Sequence, residues 1–564
     1  MTRPSDSTPL RRERLIVAAI LACMLVLIGR LAQLQAVQSA DWRARASGIQ
    51  EQTIELPAQR GSIFDSNGIL LAVDVKGKSI AVDGRNLVGG ESLIDILSDA
   101  LGLTRAKLRQ LVERDSYFTW IERNVDLDVA LEIVDRADAA GIRGLILVDT
   151  WTRRYPQGSL ASNLLGFVGV DGAGLEGLEL HYDDVLRGHA GSLHIVEGRD
   201  GRTYELATLE EAVPGRDLHL TLDARVQSIC EAEIDRGTER FAAESGFIVV
   251  LDPGSGEILA MAQSPRYDPN HFAASEAATR RNLAVTTVFE PGSTFKVFTG
   301  LAALAAGAAS LEDRFDGNDG VRVTGHVMHN ADNVSYGTVS FGEIIEKSIN
   351  TAMIRVAQRV GSDRLHEMLV ALGFGQRTGV ELPGEVAGIL RPAEEWVPLD
   401  LAATAIGQSV AVTGIQLARA VSAVASGGIL HHPSIIAADQ LADVSAPRRV
   451  ASEEQAALMR KLLRRVVETG TGTLAEIPGF RVAGKTGTAQ KAAPGVGYSA
   501  GKYTSLFAGF LPADDPALVA LVVLDEVGTG TPSGGYTAGQ IFRSALSQTA
   551  TALRLAPASP SGSP

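Results

Sequence analysis

The most sustained apolar pattern in the chain lies near its start. Leu15 to Gly29 reads LIVAAILACMLVLIG and carries no charge. Arg30 interrupts the run and Leu31 to Val37 extends it. Residues 15–37 therefore reach the about 20 residues that a membrane-spanning helix needs, with the Arg30 side chain stretching toward the headgroups. Arg3, Arg11, Arg12 and Arg14 precede the span. Positive charge on that flank places residues 1–14 in the cytoplasm and the remainder beyond the cytoplasmic (inner) membrane, as a periplasmic or extracytoplasmic domain on one span. Ala44-Arg45-Ala46 is too distant and too charged for a signal-peptide cleavage site, so an uncleaved anchor is expected.

Past the anchor the hydrophobic spacing shortens. GSIF and ILLAV flank Ser66-Asn67-Gly68, the pattern of a hairpin. Mixed helices are predicted over 92–101 and 127–140, and a glycine-rich stretch from Ala173 ends in the turn-forming EGRDGR. No paired-carboxylate or histidine-rich spacing occurs there, so residues 38–214 read as an elongated, non-catalytic module. A strand at LHLTL then leads into an amphipathic helix from Ala224. Strands at 247–251 and 257–262 enclose the turn Asp252-Pro253-Gly254-Ser255-Gly256. A helix begins at or after Pro291-Gly292 and runs through Val297–Ala309, and a long helical stretch is predicted over 403–426. Strands follow at 482–489, 506–510 and 518–524, the last two joined at Asp514-Asp515-Pro516. A helix over 538–553 closes the pattern, and residues 555–564 read as a disordered tail. Strands at both ends of a helical middle predict an α+β domain over 215–554. Its antiparallel sheet would carry the helices from both termini on one face, with a helical subdomain between.

Composition narrows the function classes. The 564 residues suggest two or three domains, and 45% apolar residues supply large cores. A net charge of −14 excludes a nucleic-acid-binding surface. Cys23 and Cys230 lie too far apart in pattern to pair, and neither a metal site nor a cofactor is expected. His326 and His329, in HVMH, sit beside Gly325, Asn330 and Asp332 and read as a loop. Glu343 and Glu346 read as a solvated helix face, and Gly407-Gln408-Ser409 as the back of a cleft.

Three short motifs carry the chemistry. In FEPGSTFKVFT, Ser293 and Lys296 are three residues apart, which puts a hydroxyl and an amine on one helical face. EKSINTA places Ser348 two residues before Asn350. VAGKTGTAQ sets Lys485, Thr486, Gly487 and Thr488 on a strand. Each is weak alone, but in this order they match the Ser-x-x-Lys, Ser-x-Asn, Lys-Thr-Gly signature. With RGSIFDSNGILLA, GFVGVDGAGLEGLELHYDDVLRG, AIGQSVAVTGIQLARA, GTGT and FAGFLPADDP, the chain resembles a class B penicillin-binding protein from the anchor to the last helix. It is most similar to the division-specific, FtsI-like branch. Ser66 stands where the family more often has arginine, and Val527 where it often has proline.

The resemblance implies a fold, an activity and a set of roles. The fold is a membrane-anchored pedestal (dimerisation) module followed by a transpeptidase domain like that of serine β-lactamases. The activity is peptidoglycan D,D-transpeptidation, with release of D-alanine and in septal wall synthesis, and with β-lactams as inhibitors. Ser293 is the implied nucleophile and Lys296 its base, with Ser348, Asn350 and Lys485 completing the catalytic set. Thr486, Gly487 and Thr488 would hold the substrate, and the backbone N–H groups of Ser293 and Thr488 would form the oxyanion hole. Implied partners are stem peptides ending in D-Ala-D-Ala, β-lactams, the membrane, an FtsW-like glycan polymerase and other division proteins. Other readings are an elongation-type relative, a β-lactam hydrolase or sensor, and a scaffold for a glycan polymerase.

Overall fold

The computed structural model describes residues 9–38, 51–116, 118–197, 203–441, 445–493, 497–528 and 531–557. Residues 1–8, Ala44-Arg45-Ala46, most of the EGRDGR turn and residues 558–564 of the expected tail lie outside the described residues. In chain order the elements that matter here begin with α1 (Pro9–Ala32), β1 (Glu51–Leu56), β2 (Ile63–Phe64), β3 (Leu70–Val82), α2 (Gly90–Leu101), α3 (Arg105–Val112), β4 (Thr119–Asp126), α4 (Leu127–Ala139) and β5 (Leu145–Arg154). Next come β6 (Gly191–Glu197), β7 (Thr203–Glu210), β8 (Leu218–His219), α5 (Ala224–Phe241), β9 (Ser245–Leu251), β10 (Ile258–Ser264) and α6 (Lys296–Ala305). The middle holds β11 (Val321–Val323), β12 (His326–Met328), α7 (Phe341–Glu346), α8 (Asn350–Val360), α9 (Ser362–Ala371), α10 (Pro398–Thr404), α11 (Gly414–Ala425) and α12 (Glu453–Glu468). β13 (Ala483–Ala493), β14 (Gly497–Leu511), β15 (Leu518–Asp525) and α13 (Ala538–Ala552) end the chain.

These elements form two compact units. One comprises the chain up to residue 59 together with 188–214. It holds α1 and the antiparallel sheet β1-β6-β7, in which Glu51 faces Val196. Residues 14–35 of this unit form a helix long and apolar enough to cross a membrane. Its large side chains, such as Leu15 and Val26, are exposed.

The other unit comprises residues 60–187 and 215 onward. Its first part is a sheet ordered β4-β3-β2-β8, with β5 paired to β3. The hairpin expected at Ser66-Asn67-Gly68 is present, closed by Gly68 at φ 79° and by Asp65, which accepts the N–H groups of Asn67 and Ile69. Ile80, Val82, Ile121, Leu93, Leu97 and Ile133 bring α2 and α4 onto that sheet. Beside it lies a buried ionic cluster. Glu179, wholly buried, accepts from Arg60 Nε at 2.6 Å and from Arg153 Nε at 2.7 Å. Asp183 and Asp74 take further N–H groups of the same two arginines.

The larger part is the α+β domain the pattern predicts. Its sheet is ordered β10-β9-β15-β14-β13, antiparallel throughout. Alternation sorts its side chains. Ile248, Val250, Ala520 and Val522 face α5 and α13, the helices from the two ends of the domain. Phe247, Val249, Leu521 and Val523 face the central helices, including α6 and α11.

Five expectations are corrected. The helix expected over 403–426 is two helices. Gly407, at φ 81°, breaks it where a side chain would meet Gly292 O at 2.0 Å, and Thr413 with Gln416 builds a capping box that starts α11 afresh. The helix expected to run to Ala309 stops at Ala305. β14 begins at Gly497 rather than Leu506, because its first half is polar yet pairs along β13 as far as Ala493. Finally, Glu346 is buried, not solvated. His326 lies on a hairpin strand, opposite Val323 across a tight turn at Thr324-Gly325, rather than in an open loop.

Candidate active site

Pro291 and Gly292 open a 3₁₀ turn over Gly292–Phe295 that runs directly into α6. That turn puts Lys296 three residues, one full turn, beyond Ser293, with the amine 3.1 Å from Ser293 Oγ. Lys296 is wholly buried while Ser293 is half-buried, so the hydroxyl faces the opening and the amine lies behind it. Lys296 Nζ is also 3.1 Å from Ser348 Oγ, 2.6 Å from Ser348 O and 2.5 Å from Asn350 Oδ1. Ser348 can offer both oxygens because its backbone is left-handed, with φ 58°. A non-glycine residue held there stores about 1–3 kcal/mol of strain. Lys485, on β13 and 1% exposed, reaches the same hydroxyl from the other side, with Nζ 2.9 Å from Ser348 Oγ.

Two amines thus share one serine hydroxyl in a dry interior, where two positive charges would be costly. Burial pushes the Lys485 ammonium down to about 7, and burial also pushes Lys296 well below the ordinary lysine range, with Lys485 adding repulsion. Both causes favour the free amine at Lys296. A neutral amine has two N–H groups and one lone pair. Ser348 O and Asn350 Oδ1 can only accept, so they take the two N–H groups at the two shortest distances. The lone pair is left for the hydroxyls, and Ser293 O–H can donate to it.

β13 is the last strand in its sheet, so its outer edge faces the serine turn. A Cβ on Gly487 would lie 2.8 Å from Pro291 O, and one on Gly292 would lie 2.8 Å from Thr488 O. Glycine at both positions is what lets turn and strand approach this closely. Thr486 Oγ1 is 2.9 Å from Thr471 Oγ1, and Thr488 Oγ1 accepts the Gly534 N–H at 3.0 Å. Further along the strand a cavity of about 380 Å³ is lined by Phe247, Phe289, Glu290, Ser409, Gln490 and Asp525, but not by Ser293 or either lysine.

The structure brings all eight residues singled out in the sequence into one crevice: Ser293, Lys296, Ser348, Asn350, Lys485, Thr486, Gly487 and Thr488. Gly407-Gln408-Ser409 does back it, since Gly407 O accepts the Gly292 N–H at 3.0 Å and Glu290 accepts the Ser409 N–H. His326 and His329 join no cluster able to hold a metal among the described residues. Sequence reasoning missed Thr471, whose only signal was its place in GTGT. It also missed Glu346, which accepts from Thr469 at 2.8 Å and anchors the loop carrying Thr471.

Comparison with known proteins places this crevice in a family. The family model described as the penicillin binding protein transpeptidase domain matches residues 246–547, and that of the penicillin-binding protein dimerisation domain matches 55–220. The chain belongs to the class B penicillin-binding proteins. This penicillin-binding protein is 33% identical over 558 residues to stage V sporulation protein D of Bacillus subtilis, covering 95% of this chain and 85% of that protein. It is 30% identical over 539 residues to the peptidoglycan D,D-transpeptidase FtsI of Escherichia coli, covering 94% and 90%. A crystal structure of penicillin-binding protein 3 from Mycobacterium tuberculosis, complexed with aztreonam, superposes with a TM-score of 0.70 at 28% identity, over 90% of this chain and 99% of that one.

Proposed function

We propose that this penicillin-binding protein is a serine-type peptidoglycan D,D-transpeptidase acting in septal wall synthesis. The observation that carries the reading is the buried Lys296 amine, within 3.1 Å of both serine hydroxyls with its two N–H groups already engaged. A base so poised removes the Ser293 proton as Oγ attacks the carbonyl of the penultimate D-alanine. The backbone N–H groups of Ser293 and Thr488 take the oxyanion, each such donor contributing about 2.7–4 kcal/mol of transition-state stabilisation. Lys485, Thr486 and Thr488 hold the terminal carboxylate, with the substrate backbone laid along the outer edge of β13 beside Gly487. The C–N bond breaks, and the departing D-alanine amine receives the proton from Lys296 through Ser348. An amine of a second stem peptide then attacks the acyl-enzyme and passes its proton to Lys296, which returns it to Ser293.

In this reading residues 15–37 are a single span with residues 1–14 cytoplasmic. Residues 38–214 are a non-catalytic pedestal, and 215–554 the periplasmic catalytic domain. An FtsW-like polymerase and other division proteins are its partners, and the similarity to FtsI supports the septal assignment. Treatment with a labelled penicillin tests the chemistry. Mass spectrometry of the full-length protein should find one adduct, on Ser293, and Ser293→Ala should take none. Normal labelling of that variant would end the assignment.

A further inference from the structure

Asn350 serves the Lys296 amine only if its amide faces the right way. Oδ1 toward Lys296 accepts an N–H, whereas a flipped amide would place its NH₂ group there and occupy the lone pair that Ser293 needs. Nothing on α8 fixes that orientation. Ile349, at the N-cap of α8, makes no side-chain cap. The fixing groups come instead from the segment after β12. His329 O accepts from Asn350 Nδ2 at 2.9 Å. Asn330 Oδ1 accepts the Thr351 N–H at 3.0 Å and the Thr351 hydroxyl at 3.1 Å, and so caps α8 from outside the helix. Asn330 is buried, and its own Nδ2 donates to Gly317 O and Val334 O. Asp319 holds the peptide between His329 and Asn330 from below. Its Oδ1 accepts the Asn330 N–H at 2.6 Å, and its Oδ2 accepts from His329 Nδ1 at 2.7 Å.

We propose that Asp319 and Asn330 are positioning residues for transpeptidation, which lock the His329 carbonyl onto Asn350 so that its amide oxygen, and never its nitrogen, meets Lys296. The HVMHN segment thereby acquires a role through the His329 carbonyl and the Asn330 side chain, with the His329 imidazole serving only as a hold for Asp319. Asp319 lies 31 residues before Asn350, the first residue of the helix it steadies, and touches no reacting group. This inference rests on the transpeptidase reading, and its test separates the two.

Second-order acylation of the full-length protein by a fluorescent penicillin is measured for the wild type, Asp319→Ala, Asp319→Asn, Asn350→Ala and the Asn350→Ala/Asp319→Ala pair, with thermal midpoints alongside. Asp319→Ala should slow acylation tenfold or more. Asp319→Asn should recover much of that loss, because its amide oxygen still accepts the Asn330 N–H. In the Asn350→Ala background, Asp319→Ala should change the rate by less than twofold, since no amide remains to be oriented. Equal slowing in both backgrounds, or none with Asn350 present, overturns the proposal. Should Asp319→Ala fail to fold, Asn330→Asp keeps the cap on Thr351, drops both Nδ2 donors and runs through the same cycle. A wild type that takes no label, or a Ser293→Ala variant that does, overturns the transpeptidase reading and this inference together.

Discussion

The Ser348 hydroxyl lies 3.1 Å from one buried amine and 2.9 Å from another, and that bridge sets the pH behaviour of the crevice. With the Lys485 ammonium lowered to about 7, its grip on a substrate carboxylate weakens as the pH rises through that value. The second-order acylation rate with a carboxylate-bearing penicillin should accordingly fall about tenfold per unit above pH 7. The same group shapes stability with a definite sign. Between about 7 and the ordinary 10.5, the unfolded chain keeps a proton on Lys485 that the folded chain has released. Folding stability therefore rises with pH across that window, and the cost of burying the amine is fully present below it. The displacement corresponds to about 5 kcal/mol. Lys485→Met should raise the unfolding midpoint at pH 6.5 in urea titrations while abolishing penicillin labelling, a trade of function against stability.

Among elements, the join between α10 and α11 shows what the sequence could and could not tell. Hydrophobic spacing alone makes 403–426 one helix, because Ala, Ile, Val and Leu recur at helical intervals across Gly407. The break is dictated from elsewhere in the chain, by Gly292 approaching Gly407 to within hydrogen-bonding distance. Gly407→Ala would set a methyl group 2.0 Å from Gly292 O at a φ of 81°. Left-handed strain of about 1–2 kcal/mol and overpacking of about 1–3 kcal/mol should lower the midpoint and displace the serine turn. Thermal unfolding and penicillin labelling should fall together. The strands and terminal helices, by contrast, were legible because their side chains alternate or recur on one face without outside help. The eight crevice residues were legible through motif order. Thr471, Glu346 and the His329 carbonyl were not, since a threonine, a glutamate and a peptide oxygen carry no local mark of where folding will place them.

Across the whole molecule, residues 60–187 share one compact unit with the catalytic sheet, and the cluster around Glu179 ties distant segments together. Arg60, Arg153 and Tyr155 all place polar atoms on its carboxylate in a buried site. Glu179→Ala would leave the Nε groups of two buried guanidiniums without their acceptor while Asp183 and Asp74 still hold the other N–H groups, a loss toward the lower end of about 3–5 kcal/mol. Chemical denaturation should detect that loss, while Glu179→Gln, which keeps an acceptor oxygen, should lose less. The outer edge of β13 carries a different consequence. Natural sheets usually guard such edges with proline, a covering loop or an inward charge, because an uncovered strand invites a neighbouring chain to pair with it. Here the serine turn stands against the edge, with a Cβ on Gly487 falling 2.8 Å from Pro291 O, and Lys485, Thr486 and Gly487 are buried. The segment that supplies the nucleophile thus also shields the strand, so that a second molecule of the protein cannot extend the sheet at this stretch.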